Sequence, residues 1–158
     1  MTLRFRNVDA RPSDPVDTWP TEAVIAALER GGLSDWRRVA AAVRRDPWGP
    51  VARRLEDALR ATHPYGVSEL MATALARARA EAEADERAEV ARRVRALLVA
   101  SGLSRRAFAE RVGTSSSRLS TYLNGRVAPS STLMVRMERV AGLEPCAYGL
   151  SGKVEHTT

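Results

Sequence analysis

Between Val67 and Ser101 the chain runs for 35 residues without a glycine or a proline. Strong helix formers dominate the stretch, which predicts a helix over 67–101. Uninterrupted, at ~1.5 Å per residue, it would be a rod of about 50 Å. Its ends differ from its middle. Val67, Leu70, Met71, Ala74 and Leu75 form one apolar patch, expected to dock on the helices before it. Val90, Val94, Leu97 and Leu98 form another, expected to be the first helix of a second domain. The segment between them, ARARAEAEADERAE, offers nothing apolar larger than alanine. Its Glu and Arg side chains can pair at i,i+4 for only ~0.2–0.5 kcal/mol each. One reading is a solvated helical spacer holding two domains apart. The other is an alanine-lined coiled coil between two copies, although the leucine seam that normally drives one is missing.

After this stretch comes Leu103 to Ser130, LSRRAFAERVGTSSSRLSTYLNGRVAPS. It reads as a helix, a tight turn and a second helix. Ser104 is placed as an N-cap, its hydroxyl able to accept from the N–H of residue 106 or 107. Ala107, Phe108 and Val112 make the apolar stripe of the first helix, and Gly113 supplies the left-handed conformation that closes it. Ser115 can cap the second helix, whose inward side chains are Leu119, Tyr122 and Leu123. Asn124-Gly125 ends it. Ser116, Ser117, Arg118, Ser120 and Thr121 are then turned outward, all hydrogen-bond donors and none acidic. An ordinary pair of packed helices has no need for such a face. Ser130 or Ser131 opens a further helix carrying Leu133, Met134, Met137 and Val140, ended by Gly142.

In its order of residues this stretch resembles the helix-turn-helix family of Cro and the phage repressors, the XRE-type regulators. Phe108-Ala109-Glu110-Arg111-Val112-Gly113, Ser115, Leu119-Ser120, Tyr122, Asn124-Gly125 and Pro129-Ser130 fall in the family's register without a gap. The resemblance covers roughly residues 88–142. It implies a lambda-repressor-like DNA-binding domain with residues 115–124 as the recognition helix in the major groove. By the same resemblance, Ser115, Ser116, Ser117, Ser120 and Thr121 are candidates for base edges or nearby phosphates. Arg118 is long enough for a guanine or a phosphate. Arg105 stands where the family places a phosphate contact, and Asn124 with Arg126 where the following loop meets the backbone. The family commonly adds a fifth helix; here Leu143 to Gly149 contains Pro145 and Gly149, room for a turn or so. Pairing of two copies through the C-terminus, as in some relatives, is therefore in doubt.

The charge distribution agrees with a polyanion partner. The chain carries +6 overall, but residues 86–142 hold 11 Arg against 4 acidic residues, whereas residues 1–66 hold 11 Arg against 9. Excess positive charge thus sits where the motif sits, the footprint of a nucleic-acid module. Lys153 is the single lysine among 25 basic residues, and an Arg- and Ala-rich composition fits a GC-rich bacterial genome.

The N-terminal third reads as a small helical domain. Residues 1–17 contain Pro12 and Pro15 and form an extended arm. Arg4, Arg6 and Arg11 could reach a minor groove, but a segment packed across its own domain, or a loose one, is the plainer reading. Trp19-Pro20 is expected to open a helix with Val24, Ile25 and Leu28 on its apolar face, stopped by Gly31-Gly32. Ser34 is expected to cap a second helix carrying Trp36, Val39, Ala40 and Val43. Pro50 begins a third with Val51, Leu55, Ala58 and Leu59, broken by His63-Pro64-Tyr65-Gly66. All three tryptophans lie between residues 19 and 48, either as this domain's own core or as part of an interface.

Several function classes fall away. A nucleophile elbow, a zinc-protease motif, a phosphate-binding glycine loop and Cys/His metal spacing are all absent. His63 and His156 are the only histidines, and the carboxylates scatter beside arginines, so an enzyme is not expected, nor a cofactor. With one cysteine, Cys146, there is no intrachain disulfide, which fits a reducing cytosol. No run approaches the ~20 apolar residues of a membrane span, and the N-terminus lacks a secretion signal's apolar region. The expected protein is all-α and cytoplasmic, associated with the nucleoid through DNA. Its parts are an arm (1–17), a small helical domain (18–66), a helical connector (67–87), the helix-turn-helix domain (88–142) and a short tail (143–158). The expected function is a sequence-specific regulator of transcription, a repressor working as a homodimer on a double-stranded operator. The alternative is an antitoxin or accessory protein whose N-terminal domain binds a toxin-like partner while the C-terminal domain autoregulates the operon.

Overall fold

The computed structural model describes residues 3–143. The short turn and tail expected after Leu143, with Cys146, Lys153 and His156, lie outside the described residues. Secondary structure among the described residues is helical throughout, with seven α-helices and a single 3₁₀ turn at Val16–Thr18. The helices are α1 (Thr21–Arg30), α2 (Leu33–Arg45), α3 (Pro50–Ala61), α4 (Val67–Ser101), α5 (Arg105–Val112), α6 (Ser116–Leu123) and α7 (Ser131–Val140). The chain divides into two compact units, with the boundary inside α4 between Ala84 and Asp85.

In the first unit, α1, α2, α3 and the first half of α4 enclose one apolar core built on Trp19, Leu28, Val43, Leu55 and Met71. Val67, Met71, Leu75 and Ala78 recur every three or four residues along α4, a single stripe turned to this core. Leu70, expected in that stripe, sits off its edge and is 50% exposed. Helix α1 begins at Thr21, so Pro20 is its N-cap and not a helical residue. Ser34 does not cap α2 either. The helix starts one residue before it, and the Gly32 N–H is taken by the Asp35 carboxylate at 3.0 Å. A carboxylate at the third helical position thus satisfies the N–H of the N-cap itself, and no side-chain hydroxyl caps the helix.

The segment before α1 packs on this unit. Leu3 is buried, and Phe5 meets Trp19 edge to face with centroids 5.1 Å apart. Two arginines pin the backbone between them. Arg38 donates to the Pro12 and Asp14 carbonyls at 2.6 and 2.7 Å, with its guanidinium 4.8 Å over the Trp19 ring. Arg54 donates to the Asp17 and Trp19 carbonyls at 2.9 and 3.0 Å. Arg4, Arg6 and Arg11 remain exposed. Of the tryptophans, Trp19 is fully buried, Trp36 is half-buried and donates Nε1–H to the Ala27 carbonyl, and Trp48 is 46% exposed.

Trp48 lies under Arg79, whose guanidinium is 4.6 Å above the ring and donates at 2.7 Å to Glu56. That hydrogen bond holds the Glu56 carboxyl below its ordinary value of 4.5, against the opposing effect of burial. A depressed carboxylate stabilises the fold fully above the ordinary value, and the contribution is lost as pH falls below it. We therefore expect the tryptophan-fluorescence melting temperature to drop as pH is lowered through and below 4.5. The Glu56→Gln variant should start lower at neutral pH and lose less on acidification, by a modest margin because the pair is partly exposed. Parallel pH profiles for the two proteins would exclude this pair as a source of acid sensitivity.

The second unit packs α5, α6 and α7 with the last turns of α4 around Phe108, Val94, Val112, Leu119 and Met137, each at most 1% exposed. Helix α5 contacts both α6 and α7. Ala109, absent from the expected stripe, is 1% exposed beside Phe108, whereas Ala107 is only half-buried.

Candidate nucleic-acid interface

Three serines start the three short helices of the second unit. Ser104, Ser115 and Ser130 each accept, through Oγ, the N–H three residues on, from Ala107, Arg118 and Leu133 at 3.2, 3.1 and 3.3 Å. Each fills one of the donors a helix N-terminus leaves open. The turn between α5 and α6 is closed by Gly113 at φ +79°. The Thr114 N–H reaches the Ala109 carbonyl at 2.9 Å and the Gly113 N–H reaches Glu110 at 3.2 Å. This pair of bonds is the glycine-dependent helix ending that a side chain at positive φ would strain. Helix α6 therefore leaves α5 after only three residues, Gly113 to Ser115.

With Leu119, Tyr122 and Leu123 buried, the helical period puts Ser117, Thr121 and Asn124 along the middle of the outer face of α6. Arg118 stands on one flank, Ser116 and Ser120 on the other. Ser115, Ser116, Ser117, Arg118 and Asn124 are exposed, and Ser120 and Thr121 are half-buried. Thr121 differs from expectation in one respect: its hydroxyl donates to the Arg118 carbonyl at 2.7 Å, so it faces outward as an acceptor. Arg105, at the first position of α5, and Arg126, in the loop after α6, are both exposed. Among the described residues the guanidinium groups of Arg105, Arg118 and Arg126 have no hydrogen-bond or ion-pair partner. The one acid on α5, Glu110, is neutralised by Arg106 at 3.1 Å. Cations left without internal partners on an exposed face are available to an external anion.

Two features of this surface were not among those expected. Val127, in the loop after α6, is 52% exposed. Arg95 on α4 donates its Nη1–H to the Leu123 carbonyl, the last residue of α6. Nothing in the local sequence around Arg95 signals that contact. No group of three or more His, Cys, Asp or Glu side chains among the described residues could hold a metal ion. No helix among them is long and apolar enough to cross a membrane.

No curated protein and no solved structure matches the chain. A protein-family model described as a helix-turn-helix domain matches residues 89–147. That match spans the final turns of α4 and all of α5, α6 and α7, the elements whose capped helices and glycine turn build this surface. The C-terminal part of this chain carries a helix-turn-helix domain.

Proposed function

We propose that this protein is an XRE-type transcription regulator, a repressor, that binds a specific double-stranded DNA operator with α6 in the major groove. The observation that carries the reading is the exposed, acid-free outer face of α6 beside unpartnered Arg105, Arg118 and Arg126. Arg118 is assigned to a base edge, and Arg105 and Arg126 to phosphates, with Ser115, Ser116, Ser117, Ser120, Thr121 and Asn124 in supporting contacts. Serine hydroxyls discriminate bases weakly compared with a bidentate arginine, so the shape and deformability of the site carry part of the specificity. Likeness to the phage repressors favours repression over activation.

One such domain covers few base pairs, too little for a typical specific affinity against a genome of competing sites. The working unit is therefore a homodimer on half-sites about one helical turn apart, ~34 Å. Exposed Trp48, Tyr65 and Leu70 on the first unit support an interface there. The test is selection of duplexes from a random pool by the full-length protein, followed by titration at several salt concentrations. A preferred sequence with two-fold symmetry is expected, and log affinity should fall linearly with log salt, with a slope of roughly −0.9 per phosphate neutralised. Failure to enrich any duplex, or an affinity indifferent to salt, would overturn DNA binding. A monomeric protein–DNA complex by light scattering would overturn the dimer.

A further inference from the structure

Helix α6 ends with a fully accounted set of carbonyl groups. The Ser120 carbonyl accepts from the Asn124 N–H at 3.1 Å, Thr121 from Arg126 at 3.0 Å and Tyr122 from Gly125 at 3.2 Å. These are the chain's own turn bonds, and such a turn ordinarily leaves the final carbonyl to water. Here the final carbonyl, on Leu123, accepts from Arg95 of α4. A second observation places the same two elements together. Gly125 holds φ +69°, and a Cβ built on it would lie 3.5 Å from the Ala91 Cβ and 3.7 Å from the Arg87 carbonyl oxygen. Arg87, Ala91 and Arg95 are spaced four apart, so they form one stripe of α4 laid along the C-terminal turn of α6. A guanidinium there is also favoured by the negative end of the α6 dipole.

We propose that Arg95 is a positioning residue for sequence recognition: it clamps the C-terminal end of α6 and fixes the pitch at which the outer face is presented, without itself contacting DNA. The proposal rests on the assignment of α6 as the recognition helix. Its mechanism is geometric. A helix of only eight residues, Ser116–Leu123, is held at its start by the glycine turn and at its end by this bond. Releasing one end lets the helix pivot, so Ser117, Arg118 and Thr121 move relative to base edges. Phosphate contacts made by long arginines tolerate such a movement far better than base contacts do.

The experiment uses the full-length chain, a duplex enriched by the wild-type protein and a scrambled duplex of the same length. Arg95→Ala is compared with Arg95→Lys and with Arg92→Ala, which removes from the same helix a cation paired with Glu89. Losing one charge-assisted bond at the helix end should weaken the enriched duplex about tenfold. The scrambled duplex should change by no more than it does for Arg92→Ala. The second unit's dichroism melt should fall by no more than one hydrogen bond supplies, the salt slope should equal wild type, and Arg95→Lys should recover most of the loss because it keeps a donor. Faster amide exchange confined to residues 124–126 in free Arg95→Ala protein would support the clamp directly. Equal losses on both duplexes, a salt slope reduced by about one, or no recovery by lysine would overturn the proposal. Wild-type binding with unaltered Arg95→Ala binding would overturn this inference alone. A wild-type protein that enriches no duplex would overturn the recognition-helix assignment and the clamp with it.

Discussion

Phe108→Ala is expected to unfold the second unit while the first unit keeps its own transition. Phe108 is fully buried at the centre of the cluster formed by Val94, Val112, Leu119 and Met137. Truncating a buried phenylalanine costs about 3–5 kcal/mol through lost burial and the cavity left behind. That rivals the whole stability of a small domain, ~5–15 kcal/mol, and this unit lies at the small end. The two units can be followed separately because Trp19, Trp36 and Trp48 all belong to the first. Circular dichroism should lose the helix of α5, α6 and α7 at room temperature, DNA binding should vanish, and the tryptophan-fluorescence melt should stay close to wild type. A tryptophan melt that falls along with the dichroism would mean that the units unfold as one cooperative body.

Arg118→Ala is expected to weaken the preferred duplex by about 1–3 kcal/mol, roughly 5- to 150-fold, because a bidentate arginine–base pair carries that much discrimination. Random DNA should lose only what one charge contributes. Arg105→Ala should behave differently, weakening preferred and random duplexes about equally, since a phosphate contact positions without specifying. Neither guanidinium has a partner among the described residues, so the folded state loses little in either variant. Anisotropy titrations on both duplexes decide the matter. Equal losses on the two duplexes for both substitutions would make Arg118 a second phosphate anchor and leave base reading to the serines and to DNA shape.

The local devices of the second unit were legible in the amino-acid sequence. Ser104 and Ser115 as caps, a third cap at Ser130 or Ser131, Gly113 as the turn, and Leu119, Tyr122 and Leu123 as the inward set of α6 all follow from interactions within one or two helical turns. Such interactions are fixed by residue type and spacing, so the donor-rich face opposite the buried set could be read before any packing was known. The helical character of 67–101 was legible for the same reason, through the absence of any residue that breaks it; that it runs as one helix, Val67–Ser101, is shown by the structure.

Tertiary structure alone decided which long side chains reach which distant backbone. Arg38 and Arg54 reach 24 to 37 residues back to pin the segment before α1. Arg79 covers Trp48 from 31 positions away and so half-shields an aromatic ring that composition would put in the core. Arg95 spans 28 residues to close the end of α6. A flexible arginine has no local preference that encodes its partner, and its bond exists only where packing of apolar stripes brings a carbonyl within reach. The same holds for Leu70, a leucine by type and a surface residue because the stripe that α4 buries runs through Val67, Met71, Leu75 and Ala78. Sequence thus determined the helices, the capped starts of α5 and α6 and the chemistry of the outer face. Packing decided which residues hold that face in place, because position in three dimensions is a property of the whole core and of no single turn.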